Sequence, residues 1–381
     1  MNSFVLYNPV KLHFGKGVLA SLGVEASKYG RKALLVYGKG SVKANGSYFE
    51  TLNRLKEESL DVVEYGGIKS NPVIEDIEKA AALGREENVD LVIGLGGGSA
   101  IDSAKLIAIT IPQTEPAWDI VSGKIKPIAA LPVIAVLTLA ATGTEMNPYA
   151  VVQNEQLRKK IGYGHKLMYP KNSFLDPGFT LSVPKNYTAF GIVDLIAHSL
   201  EAFFGDGEAA LSDRFVFAII REAVKNGTNL INDLNNYELR SGIMYAATCA
   251  LNGMTFVGKA SPDWGAHAIG HCLSVLYDIP HGASLSIVYP AWLKLQKDRI
   301  PDKIIALGNV VFATENVNDT IYKLEHFFQS IGSPLKLSEA GVKAGEETEK
   351  ELFEAMVINK VDGLAHKLSK SDYEFLIKEM L

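Results

Sequence analysis

One aspartate and three histidines in the second half of the chain have the residue types and spacing of a metal site. Asp194 and His198 stand four residues apart in GIVDLIAHSLEAFF, and His267 and His281 follow in HAIGH and IPHGA. Side chains at positions i and i+4 project from one face of a helix, about 5–6 Å apart at Cβ. One carboxylate and three imidazoles suit Zn²⁺ or Fe²⁺ better than Mg²⁺ or Ca²⁺, which favour oxygen ligands. The set predicts one divalent ion, although any one such histidine alone is more often an ordinary packed residue.

A glycine-rich loop upstream predicts a phosphate site. GLGGGSAIDSAK begins at Gly94 and has four glycines in five positions. Glycine backbone accepts positive φ and approaches an anion closely, and the N-terminus of the following helix attracts the same anion. The spacing is neither GxGxxG nor GxxxxGK[ST], which argues against a P-loop ATPase. We expect pyrophosphate over Gly97, Gly98 and Ser99, with Ser99 also capping the helix. Asp102, expected in the first turn of that helix, is a further candidate cofactor contact, and the alternative is that it only complements the helix dipole. The alternative for the whole motif is a loop that serves only tight packing.

Two further loops are predicted to lie beside the first, at the carboxyl ends of neighbouring parallel strands, where a nucleotide would cross the sheet. Their candidate cofactor contacts are Gly38, Lys39, Gly40 and Ser41 in YGKGS, and Thr138, Thr142 and Thr144 in TLAATGTEMN. The threonines can also serve only their own loop backbone. An acid near the ribose would repel a 2′-phosphate. The YGKGS loop has none and offers Lys39 and Lys43, which favours NADP(H) over NAD(H).

The elements that must position these residues change type along the chain. Strand patterns at 33–41, 61–67, 131–138 and 167–177, and a strand, tight loop and helix over 90–109, give an alternation of strands and helices that is typical of a parallel sheet. After Pro184 apolar residues recur at helical spacing over 188–204, 209–231, 238–257, 264–277, 301–312, 317–331 and 346–359. We expect an α/β dinucleotide-binding domain at 1–180 and an all-helical metal-binding domain at 181–381.

Composition excludes several other classes. A net charge of −5 and a pI near 6.0 argue against nucleic acid as the main partner. The only cysteines, Cys249 and Cys272, cannot build a disulfide framework and predict buried thiols in a reducing compartment. The N-terminus lacks the apolar run of a signal peptide. The uncharged stretch 127–144 contains two prolines and reads better as a buried strand than as a membrane span. We therefore expect a cytoplasmic protein with no membrane partner.

These motifs together resemble the iron-containing, or group III, alcohol dehydrogenases. The resemblance covers nearly the whole chain and is carried by an ordered series: FGKG (14–17), SNP (70–72), GGGSAID (96–102), TLAATGTEMN (138–147), LDP (175–177), the Asp194/His198 pair, HAIGH (267–271) and PHGAS (280–284). Within the family, YGKGS, TLAATGTEMN and DWGAHAIGH are most similar to the branch of NADPH-dependent butanol dehydrogenases and broad-range aldehyde reductases.

The resemblance implies a dehydroquinate synthase-like fold: a Rossmann-like N-terminal domain and an all-α C-terminal domain that holds the metal. It puts the metal ligands on Asp194, His198, His267 and His281, adds Lys160 to the cofactor contacts, and suggests a homodimer. The chain departs from the usual pattern at Lys39, Ala140 and Thr144. None of these departures falls on the metal set.

The function expected is reversible hydride transfer between NADP(H) and a primary alcohol/aldehyde pair, with Fe²⁺ or Zn²⁺ as Lewis acid. His271, one helical turn after His267, would relay a proton or pack against the site. The alternatives are a polyol dehydrogenase of the glycerol or 1,2-propanediol type using NAD(H), and a dehydroquinate synthase-like lyase. The lyase needs cationic residues for an acidic substrate, whereas IVDLIA and HAIGHCL are apolar. A non-catalytic nucleotide-binding protein would not need the complete ligand set.

Overall fold

The structure is a computed structural model that describes all 381 residues. The chain forms two compact units. The sheet unit comprises Tyr7–Val183 and Asn235–Thr248, and the helical unit comprises Met1–Leu6, Pro184–Leu234 and Cys249–Leu381. The predicted division into domains at 180/181 stays a prediction.

Eight strands and six helices form before residue 183. The strands are β1 Lys11–Phe14, β2 Lys32–Tyr37, β3 Asp61–Gly66, β4 Leu91–Gly96, β5 Val133–Leu137, β6 Tyr149–Asn154, β7 Lys159–Gly164 and β8 Asn172–Leu175. The helices are α1 Leu22–Ala26, α2 Ser41–Ala44, α3 Ser47–Glu57, α4 Ile74–Glu86, α5 Gly98–Thr110 and α6 Ala117–Val121. Six strands form one parallel sheet in the order β1-β8-β5-β4-β2-β3, and β6 and β7 form a separate antiparallel hairpin.

Both faces of the six-stranded sheet are covered by helices, because its strands are apolar on both sides. Successive residues of a strand point to opposite faces. Leu34 and Val36 of β2 accordingly pack in one core with α4 and α5, while Ala33 and Leu35 pack in a second core with α1 and α3. The predicted α/β fold class with a parallel sheet is confirmed. The stretch 127–144 contains β5 and the loop after it.

The hairpin β6–β7 is absent from the sequence prediction, because the apolar part of β6 is short and β7 alternates lysine and glycine with its apolar residues Ile161 and Tyr163. In the region 167–177 only Asn172–Leu175 is a strand. β1 is also unpredicted, and it pairs with β8 at one edge of the sheet.

Nine helices follow residue 184: α7 Lys185–Phe204, α8 Ala210–Asn232, α9 Tyr237–Ala250, α10 Gly265–Tyr277, α11 His281–Gln296, α12 Pro301–Val311, α13 Val317–Ser330, α14 Glu346–Ile358 and α15 Lys370–Met380. Helix α11 packs against α7, α10, α13 and α15 and is buried on all sides from Gly282 to Leu293. It escapes prediction because a helix that is apolar all round has no amphipathic period, and because its sequence contains Pro290, a residue that usually ends a helix. Most of α9 lies in the sheet unit. No helix combines the length and hydropathy that crossing a membrane requires.

Candidate active site

Three helices of the helical unit bring the aspartate and the histidines together. Helix α7 carries Asp194 and His198 one turn apart, α10 carries His267 in its first turn, and His281 is the first residue of α11. Asp194, His267 and His281 each place one ligand atom within 4.8 Å of the others. His198 adjoins them, because its Nδ1 lies 3.7 Å from Asp194 Oδ1 and its ring stacks on that of His267 at 4.8 Å between centroids.

The chemistry of this cluster fits a divalent metal ion. His198 is buried, and its Nδ1 makes no hydrogen bond. Burial, together with the nearby His267, holds the pKa of the His198 imidazole well below its usual value, so the ring is neutral and keeps a lone pair. Neutral imidazoles beside one buried carboxylate are the donor set of a zinc or ferrous site.

A buried carboxylate that sequence reasoning missed holds one of these histidines. Glu201 lies on α7, three residues after His198, and is 1% exposed. Its Oε1 accepts hydrogen bonds from His267 Nδ1 at 2.7 Å and from the His267 backbone N–H at 3.0 Å, and its Oε2 accepts one from the Trp264 N–H at 2.6 Å. Burial raises the pKa of Glu201 to about 7, and these N–H donors limit the rise. A lone glutamate in the apolar run HSLEAFF was the available signal, because a buried charge needs partners.

Aromatic side chains border the same cluster. The Trp264 ring lies 5.1 Å from that of His267 and 6.2 Å from that of His198, edge-on to both. Phe256 meets Trp264 edge-on at 6.3 Å. The ring of His271, which is half-buried, lies 5.4 Å from that of His281. The cluster is thus bordered by apolar aromatic surface at Trp264 and by a further imidazole at His271.

In the sheet unit, the three predicted loops follow the adjacent strands β2, β4 and β5. Lys39, Gly40 and Ser41 are exposed beyond β2. Thr138 is buried at the end of β5, where its N–H donates to Gly96 O at 2.8 Å. The three loops therefore lie side by side at the carboxyl-terminal end of the parallel strands, which is where sheets of this kind bind nucleotides.

The glycine loop differs in detail from expectation. Gly96 has positive φ, 147°, whereas Gly98 is already the first residue of α5 and a Cβ there would lie 2.7 Å from the Thr142 side chain. The expectation that Ser99 caps the helix is wrong: the N-cap is Gly97, without a side-chain cap, and Ser99 Oγ donates to Ser70 O at 2.5 Å.

The expectation that Asp102 lies in the first turn of the helix is also wrong, because α5 begins at Gly98. The buried Asp102 carboxylate accepts hydrogen bonds from Thr144 Oγ1 at 2.6 Å and from the Val151 N–H at 2.9 Å. Lys105, which sequence reasoning missed, donates from Nζ to three backbone carbonyls of the same loop, including Thr144 O and Tyr149 O. Burial lowers the pKa of Lys105 to about 8. These two charged residues fix the loop after β5 against α5.

Lys160 on β7 is buried, and its Nζ donates to Asn71 Oδ1 at 2.8 Å. The neighbouring Ser70 accepts the Ser99 hydroxyl. Residues 70–71 thus contact both the start of α5 and Lys160.

Comparison of the sequence and the structure with known proteins points to the same family in both halves of the chain. The family model described as iron-containing alcohol dehydrogenase matches residues 9–177, and that for the C-terminal part of the same family matches 188–378. The chain is 38% identical over 390 residues to a probable NADH-dependent butanol dehydrogenase of Bacillus subtilis, with all of both chains covered. It is 34% identical to the NADPH-dependent aldehyde reductase YqhD of Escherichia coli, with 90% of each covered. The crystal structure of NADH-dependent butanol dehydrogenase A from Thermotoga maritima superposes with a TM-score of 0.96 at 36% identity, covering 100% of this chain and 99% of that one.

The chain belongs to the iron-containing alcohol dehydrogenase family. It is an NAD(P)-dependent alcohol dehydrogenase that carries out metal-dependent oxidation and reduction of alcohol and aldehyde pairs. Membership of the family implies a nicotinamide cofactor and a divalent metal ion.

Proposed function

We propose that Asp194, His198, His267 and His281 hold one Fe²⁺ or Zn²⁺ ion, and that the enzyme transfers hydride reversibly between NADP(H) and a primary alcohol or aldehyde. The observation that carries this proposal is the convergence of ligand atoms from Asp194, His267 and His281 to within 4.8 Å of one another. The neutral, buried His198 beside them supports it. When bound, the ion supplies Lewis-acid polarisation of the substrate oxygen.

The chain's own residues contribute orientation, water exclusion and proton transfer. Trp264 and Phe256 present apolar surface beside the ligands, which suits a small aliphatic substrate better than the anionic substrate of a lyase. His271 is the candidate proton carrier, because its ring lies beside His281 and is half-buried. A polyol dehydrogenase is the alternative that a substrate panel distinguishes. A homodimer remains a prediction.

For the cofactor, we propose pyrophosphate at Gly97, Gly98 and Ser99 and a preference for NADP(H). No carboxylate lies in residues 38–41, and Lys39 and Lys43 are exposed beside that loop. Glu64, an acid on the neighbouring strand β3, accepts hydrogen bonds from two tyrosine hydroxyls at 2.8 Å each. Relatives of both kinds exist, since the B. subtilis and T. maritima proteins are named for NADH and YqhD for NADPH.

The experiment that tests the proposed activity is a metal and substrate survey. Protein purified with and without oxygen is analysed for metal, and straight-chain aldehydes, glycerol and 1,2-propanediol are assayed with both cofactors. We expect about one Fe²⁺ or Zn²⁺ per chain and the highest kcat/KM with a primary aldehyde and NADPH. Highest activity with a polyol and NAD⁺ would favour the alternative.

Gly98→Val should weaken nucleotide binding. Its Cβ would collide with Thr142, so the start of α5 or the loop after β5 must move and backbone donors leave the phosphate. Losing one or two charge-assisted hydrogen bonds, about 1.5–3 kcal/mol each, raises the Kd for NADPH at least about tenfold. Titration calorimetry measures this. Gly162→Ala is the control, because its Cβ meets only Val151 Cγ2 at 3.9 Å. An unchanged Kd in Gly98→Val contradicts the phosphate placement.

A further inference from the structure

The carboxylate of Glu201 is buried in an apolar part of the helical unit. It lies between the buried residues Leu200 and Ala202 in the last two turns of α7. A buried carboxylate destabilises the fold unless N–H or O–H donors replace its water. The N–H groups that donate to it all belong to the stretch 264–267, at the start of α10, and the Tyr289 hydroxyl of α11 interacts with the same carboxylate. These hydrogen bonds connect α7 to the first turn of α10, which carries the proposed metal ligand His267.

The two oxygens of this carboxylate hold different groups. Oε1 accepts the hydrogen bond of His267 Nδ1, which keeps a proton on Nδ1 and leaves Nε2 as the nitrogen that can bind a metal ion. Oε2 accepts the backbone N–H of Trp264. Trp264 has φ 63°, in the left-handed region, which is unfavourable for a bulky residue. The hydrogen bond offsets part of this cost and keeps the indole beside His198 and His267.

We propose that Glu201 is a positioning residue that fixes both His267 in its metal-binding tautomer and Trp264 as the apolar wall beside the metal. The proposal rests on the proposed function, since it concerns the same site. Metal affinity and substrate fit therefore depend on a single carboxylate that touches neither metal nor substrate.

A purely structural role for Glu201 makes a different prediction, and Asp263 supplies the comparison. Asp263 is also a buried carboxylate at the start of α10, and it accepts hydrogen bonds from the backbone N–H groups of Gly265, Ala365 and His366. None of these bonds comes from a ring of the metal cluster. If Glu201 only stabilises the fold, Glu201→Gln and Asp263→Asn should affect metal binding alike.

The test measures the Kd for Zn²⁺ by chelator competition in metal-stripped protein. It compares wild type, Glu201→Gln, His267→Ala, the double variant and Asp263→Asn, with unfolding temperature recorded for each. A glutamine has one acceptor oxygen, so it can hold His267 or the Trp264 N–H and must turn its NH₂ toward the other donor. We expect Glu201→Gln to raise the Kd about 10–100-fold, the range for such supporting residues. The effect should disappear in the His267→Ala background, and Asp263→Asn should leave the Kd within about twofold.

The outcomes separate this proposal from the proposed function. An unchanged Kd in His267→Ala overturns the metal site itself. If His267→Ala raises the Kd for Zn²⁺ and Glu201→Gln does not, the positioning role is overturned and the metal site stands. The same conclusion follows if Asp263→Asn raises the Kd as much as Glu201→Gln does. If Glu201→Gln does not fold, Glu201→Asp keeps the charge but withdraws both oxygens by one bond, and an unchanged Kd in that variant also overturns the proposal. In the metal-loaded enzyme, KM and kcat are measured for aldehydes of increasing chain length. Glu201→Gln and Trp264→Ala should both change KM more than kcat. If KM is unchanged across the series, the part of the proposal that concerns Trp264 is overturned.

Discussion

His267→Ala should remove turnover while the protein stays folded. The imidazole is one of four proposed ligands, and Lewis-acid stabilisation of the transition state is worth several kcal/mol. Because each 1.4 kcal/mol is a factor of ten, kcat/KM should fall about 10³-fold or more. The buried partner Glu201 loses one donor, which costs about 1–3 kcal/mol of stability. Steady-state kinetics, metal analysis and thermal unfolding of the same sample measure the three effects.

His326→Ala is the matched control, because His326 is exposed on α13 and stacks only on Tyr322 among the aromatic rings. It should keep full metal content and activity. Metal lost from His267→Ala with activity retained would refute the assigned role of the ion. Activity lost only through unfolding would show in the melting curve and would leave the ligand role unsupported.

Gly40→Asp should reverse the cofactor preference by rejecting NADPH. Gly40 is exposed, its φ is −91°, and a Cβ there meets no atom within 4 Å, so the new side chain causes no strain. A carboxylate facing a 2′-phosphate costs a few kcal/mol, which corresponds to about a 10²-fold fall in kcat/KM for NADPH. An exposed charge pair is worth only about 0–1 kcal/mol, so NADH should gain little. The measurement is kcat/KM for both cofactors in both proteins.

Gly40→Asn separates charge from size, since its amide has nearly the same shape without the charge. It should lower kcat/KM for NADPH far less than Gly40→Asp does. Equal losses in the two variants would assign the effect to steric blocking. A wild-type enzyme that prefers NADH tenfold or more would mean that the missing acid in residues 38–41 was misinterpreted.

Sequence reasoning reached the elements that follow strong local rules. Asp194 and His198 are four residues apart on a helix, so their common face follows from helical geometry alone. The strands β2, β4 and β5 are continuous apolar runs followed by glycine or hydroxyl residues, so their place in a parallel sheet, with the loops at its carboxyl-terminal end, could be anticipated. That His267 and His281 approach this pair was suggested by residue types alone, and the family resemblance added an independent reason, because spacing across three helices carries no local signal.

What sequence reasoning missed depends on tertiary contacts. Ser99 does not cap α5 because the helix begins one residue earlier, at Gly98, and because the Ser99 hydroxyl donates to the carbonyl of Ser70. Ser70 lies 29 positions away in the sequence, so this contact has no local signal. Glu201 and Lys105 are charges inside apolar helices, and only the fold shows which donors and carbonyls satisfy them. Helix α11 lacks a polar face because other helices surround it.

The segment 235–248 has a consequence for recombining this enzyme with its relatives. Met244 packs with Leu137 and Leu175 of the sheet, and Thr248 donates its hydroxyl to the buried Glu145 at 2.6 Å. A fragment that ends at Val183 would leave those apolar side chains in water and that carboxylate without its donor. A crossover near residue 184 therefore exchanges part of the sheet's packing together with the helices. Chimaeras should retain folding only when 235–248 comes from the same parent as the sheet.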